Sequence, residues 1–273
     1  MREPLLGVCV GKKGVGKTYT TDRVIKQYVS GNYASGIMPR KVLIMDVNDE
    51  FVDYKGLALK DIMRFSVHPL VEARRIRPFH PDGRKMTLDD LAATLNYILE
   101  VFSGGLLLIE DINRFTSDHM PQDLMGAIAT NRHRDLDIIL HYQGIGRVGT
   151  KVWQNINWLR FHKITENVSK HQKKFEDKYE LLRIAELMVN ARYYNGDERF
   201  YQYVDCENMC LMGNIDDKLF DEAVTTFIEE NYNRIISPLL RIRSGAGSRK
   251  KHTADSAIKQ EKERIKKMYL KKI

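Results

Sequence analysis

The sequence predicts an α/β protein, a mostly parallel sheet flanked by helices. Three observations lead there. Short apolar runs alternate with helical stretches along residues 5–165. The first run passes through a glycine-rich turn directly into a helix. A later run ends in two adjacent carboxylates. Apolar runs with no polar face read as strands buried on both sides, the habit of a parallel sheet covered by helices.

Taken in order, "LLGVCV" (5–10) is a buried strand and Lys17 to Ser30 a helix, closed by Gly31-Asn32. "KVLIMDV" (41–47) is a second strand; residues 56–68 fit neither pattern; "RRIRPF" (74–79) is a short strand. "TLDDLAATLNYILEVF" (87–102) is an amphipathic helix, with Thr87 as N-cap and an acidic first turn. "LLLI" (106–109) and "LDIILHY" (136–142) are buried strands, with a helix from Pro121 to Arg132 between them. "VWQNI" reads as a short helix and "WLRFHKI" (158–164) as a fifth core strand. Helices are expected over 166–178, 179–192 and 217–236, and a strand over 199–204. "SGAGS" (244–248) reads as a linker before a lysine-rich helix over 254–270.

The composition is that of a globular protein: 273 residues, 43% hydrophobic and 29% charged. The chain has no uninterrupted apolar run of about 18 residues, so no transmembrane helix is expected. Its start lacks a small-residue cleavage site, so no signal peptide is expected either. Cys9 sits in the first apolar run as a buried thiol. Cys206 and Cys210 lack further ligands nearby in sequence, which argues against zinc. Three cysteines form no disulfide framework, and a reducing cytoplasm is the expected setting. The net charge of +8 is uneven. Residues 241–273 carry 12 Lys and Arg against 3 Asp and Glu, a net of +9, which leaves the preceding residues at −1. The expected organisation is a core over 1–240 and a basic, partly flexible tail over 241–273. Such a tail suits a polyanion or an acidic partner surface, or simply solubility. Within it Ile258, Ile265 and Met268 or Leu270 fall loosely on one side. That arrangement fits a helix at an anionic surface or a peptide that folds on a partner.

Gly11-Lys12-Lys13-Gly14-Val15-Gly16-Lys17-Thr18 fits G-x-x-x-x-G-K-[ST] in full, between a buried strand and a helix. Glycines let the backbone N–H groups form a nest around phosphates, and the helix turns its positive end to the anion. Lys17 is expected on the β- and γ-phosphates and the Thr18 hydroxyl on Mg²⁺. With Tyr19, the run Gly11 to Thr18 is the expected contact surface for ATP. Glu110-Asp111, at the end of "GGLLLIED", puts two carboxylates at the sheet edge where ligands bind in open α/β sheets. One holds Mg²⁺ through water and the other polarises the attacking water, and the pair is assigned jointly. The plainer reading is a solvated strand end. Gln143, ending the next strand, is placed to orient water or sense loss of the γ-phosphate. Arg132 and Arg134, in "NRHRD", are candidate fingers reaching a neighbouring subunit's nucleotide; the other reading of each is a helix C-terminal cap.

The order of "GKKGVGKT", "VLIMDVNDEF" (42–51), "LLLIED" (106–111), the arginine cluster and "IILHYQ" (138–143) resembles the FtsK–HerA superfamily of DNA-pumping ATPases. That group includes viral genome-packaging ATPases and the Zot-like ATPases of filamentous phages. Asp46, Asn48, Glu50 and Phe51 match its second-strand pattern, and Gln143 its glutamine. The resemblance spans about residues 5–165. It departs in the order Glu110-Asp111, where the family has Asp-Glu, and in reaching the nucleotide loop without an N-terminal domain. It implies a RecA/ASCE-like P-loop NTPase core and ATP hydrolysis with Mg²⁺. It also implies a ring of six, DNA held by its phosphates without sequence readout, and a capsid or portal-vertex partner. The implied setting is the host cytoplasm or the virion. Arg147 and Lys151 of the 144–151 loop, and the arginine-rich 53–85 insertion, are the candidate pore elements. Two alternatives stand beside a packaging motor. One is a Zot-like extrusion ATPase. The other is a ParA/MinD-like nucleotide switch, for which Lys12 occupies the signature-lysine position but Lys13 replaces the usual glycine.

Overall fold

A computed structural model describes residues 3–114, 126, 134–242 and 252–270. The chain divides into two compact units, Met1–Arg160 with Ile164–Glu166, and Phe161–Lys163 with Asn167–Ile273. The expected helix over 121–132, Arg132 itself and the 244–248 linker lie outside the described residues, Gly126 excepted.

The first unit is the α/β layer that the apolar runs predict. Its strands are β1 (Leu6–Val10), β2 (Lys41–Met45), β3 (Lys55–Gly56), β4 (Ala73–Ile76), β5 (Gly105–Ile109), β6 (Asp137–Tyr142) and, as far as Arg160, β7 (Trp158–His162). Their order is β3-β4-β2-β5-β6-β1-β7. The pairs β1–β6, β5–β6, β2–β5, β2–β4 and β3–β4 are all parallel. Side chains alternate between the faces of a strand. One face presents Cys9, Val42, Ile44, Leu106, Leu108 and Ile139, packed with Ile25 and Val24 of helix α1 (Lys17–Ser30). The other presents Val8, Leu43, Leu107 and Leu140, equally buried, so both faces are covered.

Helix α3 (Leu88–Val101) begins as its sequence dictates. The Thr87 hydroxyl accepts from the Asp90 N–H, and Asp90 accepts in return from the Thr87 N–H. The ambiguous stretch 56–68 resolves into β3, a 3-10 turn and a short helix α2 (Ile62–Val67). Phe65 of α2 stacks on Phe102, just past the end of α3, with centroids 6.0 Å apart. Further on come a short helix α4 (Thr150–Asn155) and then β7, whose Trp158 ring lies where a Cβ on Gly7 would sit.

The N-terminal edge of this sheet is tied by one buried carboxylate. Asp137 accepts from the Leu5 N–H at 2.8 Å, the Tyr28 hydroxyl at 2.8 Å and Arg40 Nη1 at 3.0 Å. It thereby joins the chain entering β1 to β6, to α1 and to the residue before β2.

The second unit is helical around a hairpin. The stretch 166–178, expected as one helix, is instead a 3-10 turn, a single helical turn (Gln172–Phe175) and another 3-10 turn. The Asn167 side chain caps the Ser169 N–H, and the buried Glu186 carboxylate accepts the Val168 N–H, which anchors the segment as successive turns. Helix α5 (Tyr179–Tyr194) follows, then strand β8 (Tyr201–Asp205), paired antiparallel with β9 (Cys210–Met212). The hairpin was not expected. Its turn forms because Asp205 accepts from the N–H groups of Glu207 and Asn208, and it holds Cys206 and Cys210 as buried free thiols. The helix expected over 217–236 divides at Asn231 into α6 (Asp217–Glu230) and α7 (Tyr232–Leu240).

Helix α8 (Ala254–Tyr269), capped by Thr253, packs against α6 and α7. Its buried stripe is Ala257, Glu261, Ile265 and Tyr269, spaced by four; of the residues expected on one side, Ile265 is buried while Ile258, Met268 and Leu270 are not. Arg264 pairs with Glu180 at 2.7 Å and Lys262 with Asp221 at 3.1 Å. The apolar side of this basic helix is therefore covered by its own chain, and Met268 stays 46% exposed.

Two outcomes follow from this packing. Asp137→Ala leaves Arg40 its pair with the exposed Asp135 and should destabilise the fold by about 2–3 kcal/mol, read as a lower denaturant midpoint. Cys9, Cys206 and Cys210 are all buried, and burial pushes the Cys206 thiol up to about 12. In the native protein a thiol reagent should label them slowly, and in denaturant it should label all three at once.

Candidate nucleotide site

Strand register brings the expected groups to one edge. Val10 pairs with Tyr142 and Met45 with Ile109, so Gly11, Asp46, Glu110 and Gln143 all follow the C-terminal ends of parallel strands. β6 lies between β1 and β5, which puts Gln143 between the glycine loop and the two carboxylates.

Gly14 and Gly16 turn the loop with φ of 85° and 83°, a conformation an L side chain rarely takes. Gly16 is the N-cap of α1 and makes no side-chain cap, which leaves the helix start open to an anion. Lys17 Nζ donates to the carbonyls of Gly11 at 2.6 Å and Lys12 at 2.8 Å. Burial holds the ammonium below its ordinary value; Asp111, then Cys9, Glu50 and Glu110, act in the opposite sense. Lys13 and Gly14 are exposed, and Val15 is buried as the loop's anchor. Tyr19 is 54% exposed, with the Arg23 guanidinium 5.1 Å from its ring centroid.

The carboxylates do not form one uniform cluster. Glu110 is buried; its backbone N–H donates to the Met45 carbonyl, and its Oε2 accepts from the Asn48 N–H at 3.4 Å. Burial first, then the negative charges of Glu50 and Asp46, push its carboxyl from 4.5 up to about 9. Asp111 has left-handed backbone, φ 43°, and both its oxygens accept from Gln143 Nε2, at 3.1 and 2.9 Å. Thr18 Oγ1 donates to Glu50 Oε2 at 2.9 Å. A hydroxyl resting on a carboxylate is a hard-oxygen donor set suited to Mg²⁺, whose charge would oppose the burial and the negative charges that hold the Glu110 carboxyl high. Thr18 rests on Glu50, Glu110 on the Asn48 N–H and Asp111 on Gln143.

Arg134 is not brought to this edge. It sits before β6, at the opposite end of the strand, where its Nη1 donates to the carbonyls of Leu99 and Glu100 and caps α3. Arg147 and Lys151, on the segment after Gln143, are exposed. That segment is braced by Glu166, whose Oε1 accepts from the Gly146 N–H at 3.2 Å. Of the 53–85 arginines, two are internal braces. Arg75 donates to Asp46 at 2.7 Å and Asp49 at 2.5 Å, and Arg77 holds both oxygens of Asp49 at 3.1 Å.

Sequence reasoning missed a polar base beneath the cradle. Arg160 is fully buried in β7 and donates to the Thr21 hydroxyl and to the Lys17 carbonyl, the latter at 3.3 Å. His141 Nε2 meets the same hydroxyl at 2.9 Å. The only signal was an arginine inside an apolar strand run.

No protein-family model matches the sequence. No curated protein matches it. Solved structures do. The genome packaging NTPase B204 from Sulfolobus turreted icosahedral virus 2, in complex with AMP, overlaps 79% of this chain and 99% of its own, at 16% identity and a TM-score of 0.51. The N-terminal domain of zonular occludens toxin from Neisseria meningitidis overlaps 58% of this chain and 76% of its own, at 10% identity and a TM-score of 0.33. The first likeness establishes the fold. The chain has the α/β fold of a P-loop NTPase. No helix among the described residues is long and apolar enough to cross a membrane.

The shifted carboxyl predicts a pH dependence. Between its ordinary value and about 9, the folded, nucleotide-free chain keeps a proton on Glu110 that the unfolded chain releases. The unfolded state then binds fewer protons, so stability falls as pH rises through that window. Glu110→Gln cannot ionise. Its denaturant midpoint should change less than that of the wild type between about pH 6 and about pH 8.5.

Proposed function

We propose that this chain is an ATP-hydrolysing motor of the viral genome-packaging type, within the FtsK–HerA superfamily, that couples hydrolysis in a six-membered ring to movement of DNA. The observation that carries the reading is the shared sheet edge. A glycine nest, Lys17, Thr18, buried Glu110 and the Asp111–Gln143 pair stand together at the ends of β1, β5 and β6. The overlap with B204, a genome packaging NTPase, over nearly all of that chain supports the choice of class.

In this reading Lys17 leaves the carbonyls of Gly11 and Lys12 for the β- and γ-phosphate oxygens, while the loop N–H groups and the start of α1 hold the phosphates. Bound Mg²⁺ supplies charge neutralisation at those phosphates. The carboxylates at this edge serve the cation and the attacking water. Water adds to the γ-phosphorus, the bond to the bridging oxygen breaks, and a carboxylate takes the proton. Gln143, hydrogen-bonded to Asp111, responds to loss of the γ-phosphate, and the segment carrying Arg147 and Lys151 moves with it against DNA phosphates. With Arg134 engaged on α3, Arg132 is left as the member of the pair to complete a neighbour's site. A capsid or portal-vertex protein is the docking partner this role implies.

The test is steady-state ATP hydrolysis by wild type and Lys17→Ala, with and without double-stranded DNA, with particle mass followed alongside. DNA-stimulated turnover in a ring-sized particle, lost in Lys17→Ala by at least about a hundredfold, is expected. DNA-indifferent turnover from a monomer or an ATP-dependent dimer would sink the motor reading in favour of a nucleotide switch.

A further inference from the structure

Glu50 matches a sequence pattern but had no role assigned to it. Its position is built with care. Asp46, fully buried, accepts from the Glu50 N–H at 2.8 Å and the Phe51 N–H at 3.1 Å. Arg75 neutralises Asp46 from the far side, and the Phe51 ring is set in the core. The backbone of Glu50 is thus fixed on both flanks while its side chain extends to the first turn of α1. There its Oε2 accepts from Thr18 Oγ1 at 2.9 Å. Asp111 is built differently. Its left-handed backbone turns the carboxylate to Gln143, which bonds both oxygens.

We infer that Glu50, rather than Asp111, is the carboxylate that works with Glu110 at the Thr18 hydroxyl when magnesium nucleotide binds, and that Asp111 is a positioning residue for Gln143. The inference rests on the nucleotide-hydrolase reading above. It divides the acidic groups into two pairs from different strands. Glu50 with Glu110 spans the ends of β2 and β5, and Glu50 meets the hydroxyl. Asp111 with Gln143 spans the ends of β5 and β6. Mg²⁺ in nucleotide sites keeps several waters and takes few protein ligands, so carboxylates beside one hydroxyl suffice to hold its hydration shell.

The experiment is a binding titration on the full chain. A fluorescent ATP analogue is bound first without divalent cation, then with increasing MgCl₂, for wild type, Glu50→Gln and Asp111→Asn. Both changes keep side-chain shape, asparagine is tolerated in left-handed backbone, and circular dichroism checks folding. Glu50→Gln should keep cation-free binding and need at least about tenfold more Mg²⁺ to reach its half-effect. Asp111→Asn should move that half-effect less than Glu50→Gln does, while losing single-turnover hydrolysis through a misplaced Gln143. An equal or larger Mg²⁺ shift in Asp111→Asn, or none in Glu50→Gln, overturns the inference and leaves the hydrolase reading standing. A wild type that does not bind the analogue, or binds it without regard to Mg²⁺, overturns the hydrolase reading and the inference with it.

Discussion

Carboxylates crowded at the ends of β2 and β5 impose the constraint that the rest of the first unit answers. Like charges in a low-dielectric setting repel, and each must be neutralised, hydrogen-bonded or protonated. Asp46 takes Arg75 and two backbone N–H groups, and Asp49 takes Arg75 and Arg77. Glu110 takes one N–H and keeps its proton. This accounts for an arginine-bearing strand, β4, at the flank of β2. Arg75 of this strand and Arg77 just beyond it hold the acidic loop in shape, so Thr18 meets a carboxylate already in place.

The two ends of the sheet have separate tasks. At the N-terminal end, Asp137 binds Leu5, Tyr28 and Arg40, and Arg134 closes the last carbonyls of α3. These contacts are local and mutually satisfied, as buried polar groups must be. At the C-terminal end the groups are left with capacity to change partners: Lys17 rests on loop carbonyls, Thr18 on Glu50, Gln143 on Asp111. A phosphate would compete for the first and a cation for the second.

In the second unit, charge works by internal pairing. Arg183 binds Glu186 and Glu230, and Glu186 in turn receives the Val168 N–H. Helix α8 lies on α6 and α7 through one apolar stripe, with Arg264 and Lys262 paired to Glu180 and Asp221. Five of the twelve basic residues that mark the end of the chain therefore sit on a packed helix.

The sequence by itself determined the parallel α/β layer, the glycine-rich turn between β1 and α1 and the cap of α3. These depend on local physics: apolar runs long enough for a strand, glycines where φ must be positive, a threonine three residues before an aspartate. Glu110, Asp111 and Gln143 were legible for the same reason, since a residue that ends a buried parallel strand reaches the sheet edge whatever its neighbours are. Tertiary structure decided the pairings. Whether Asp111 faces Thr18 or Gln143 depends on one left-handed residue. Whether Arg134 serves a nucleotide or a helix end depends on which end of β6 it precedes. Whether Arg160 is a strand residue or the floor of the cradle depends on Thr21, from another element. Periodicity reports which face a residue takes. It carries no information on which distant group meets it there, because that follows from strand order and register, set by the packing of the whole layer.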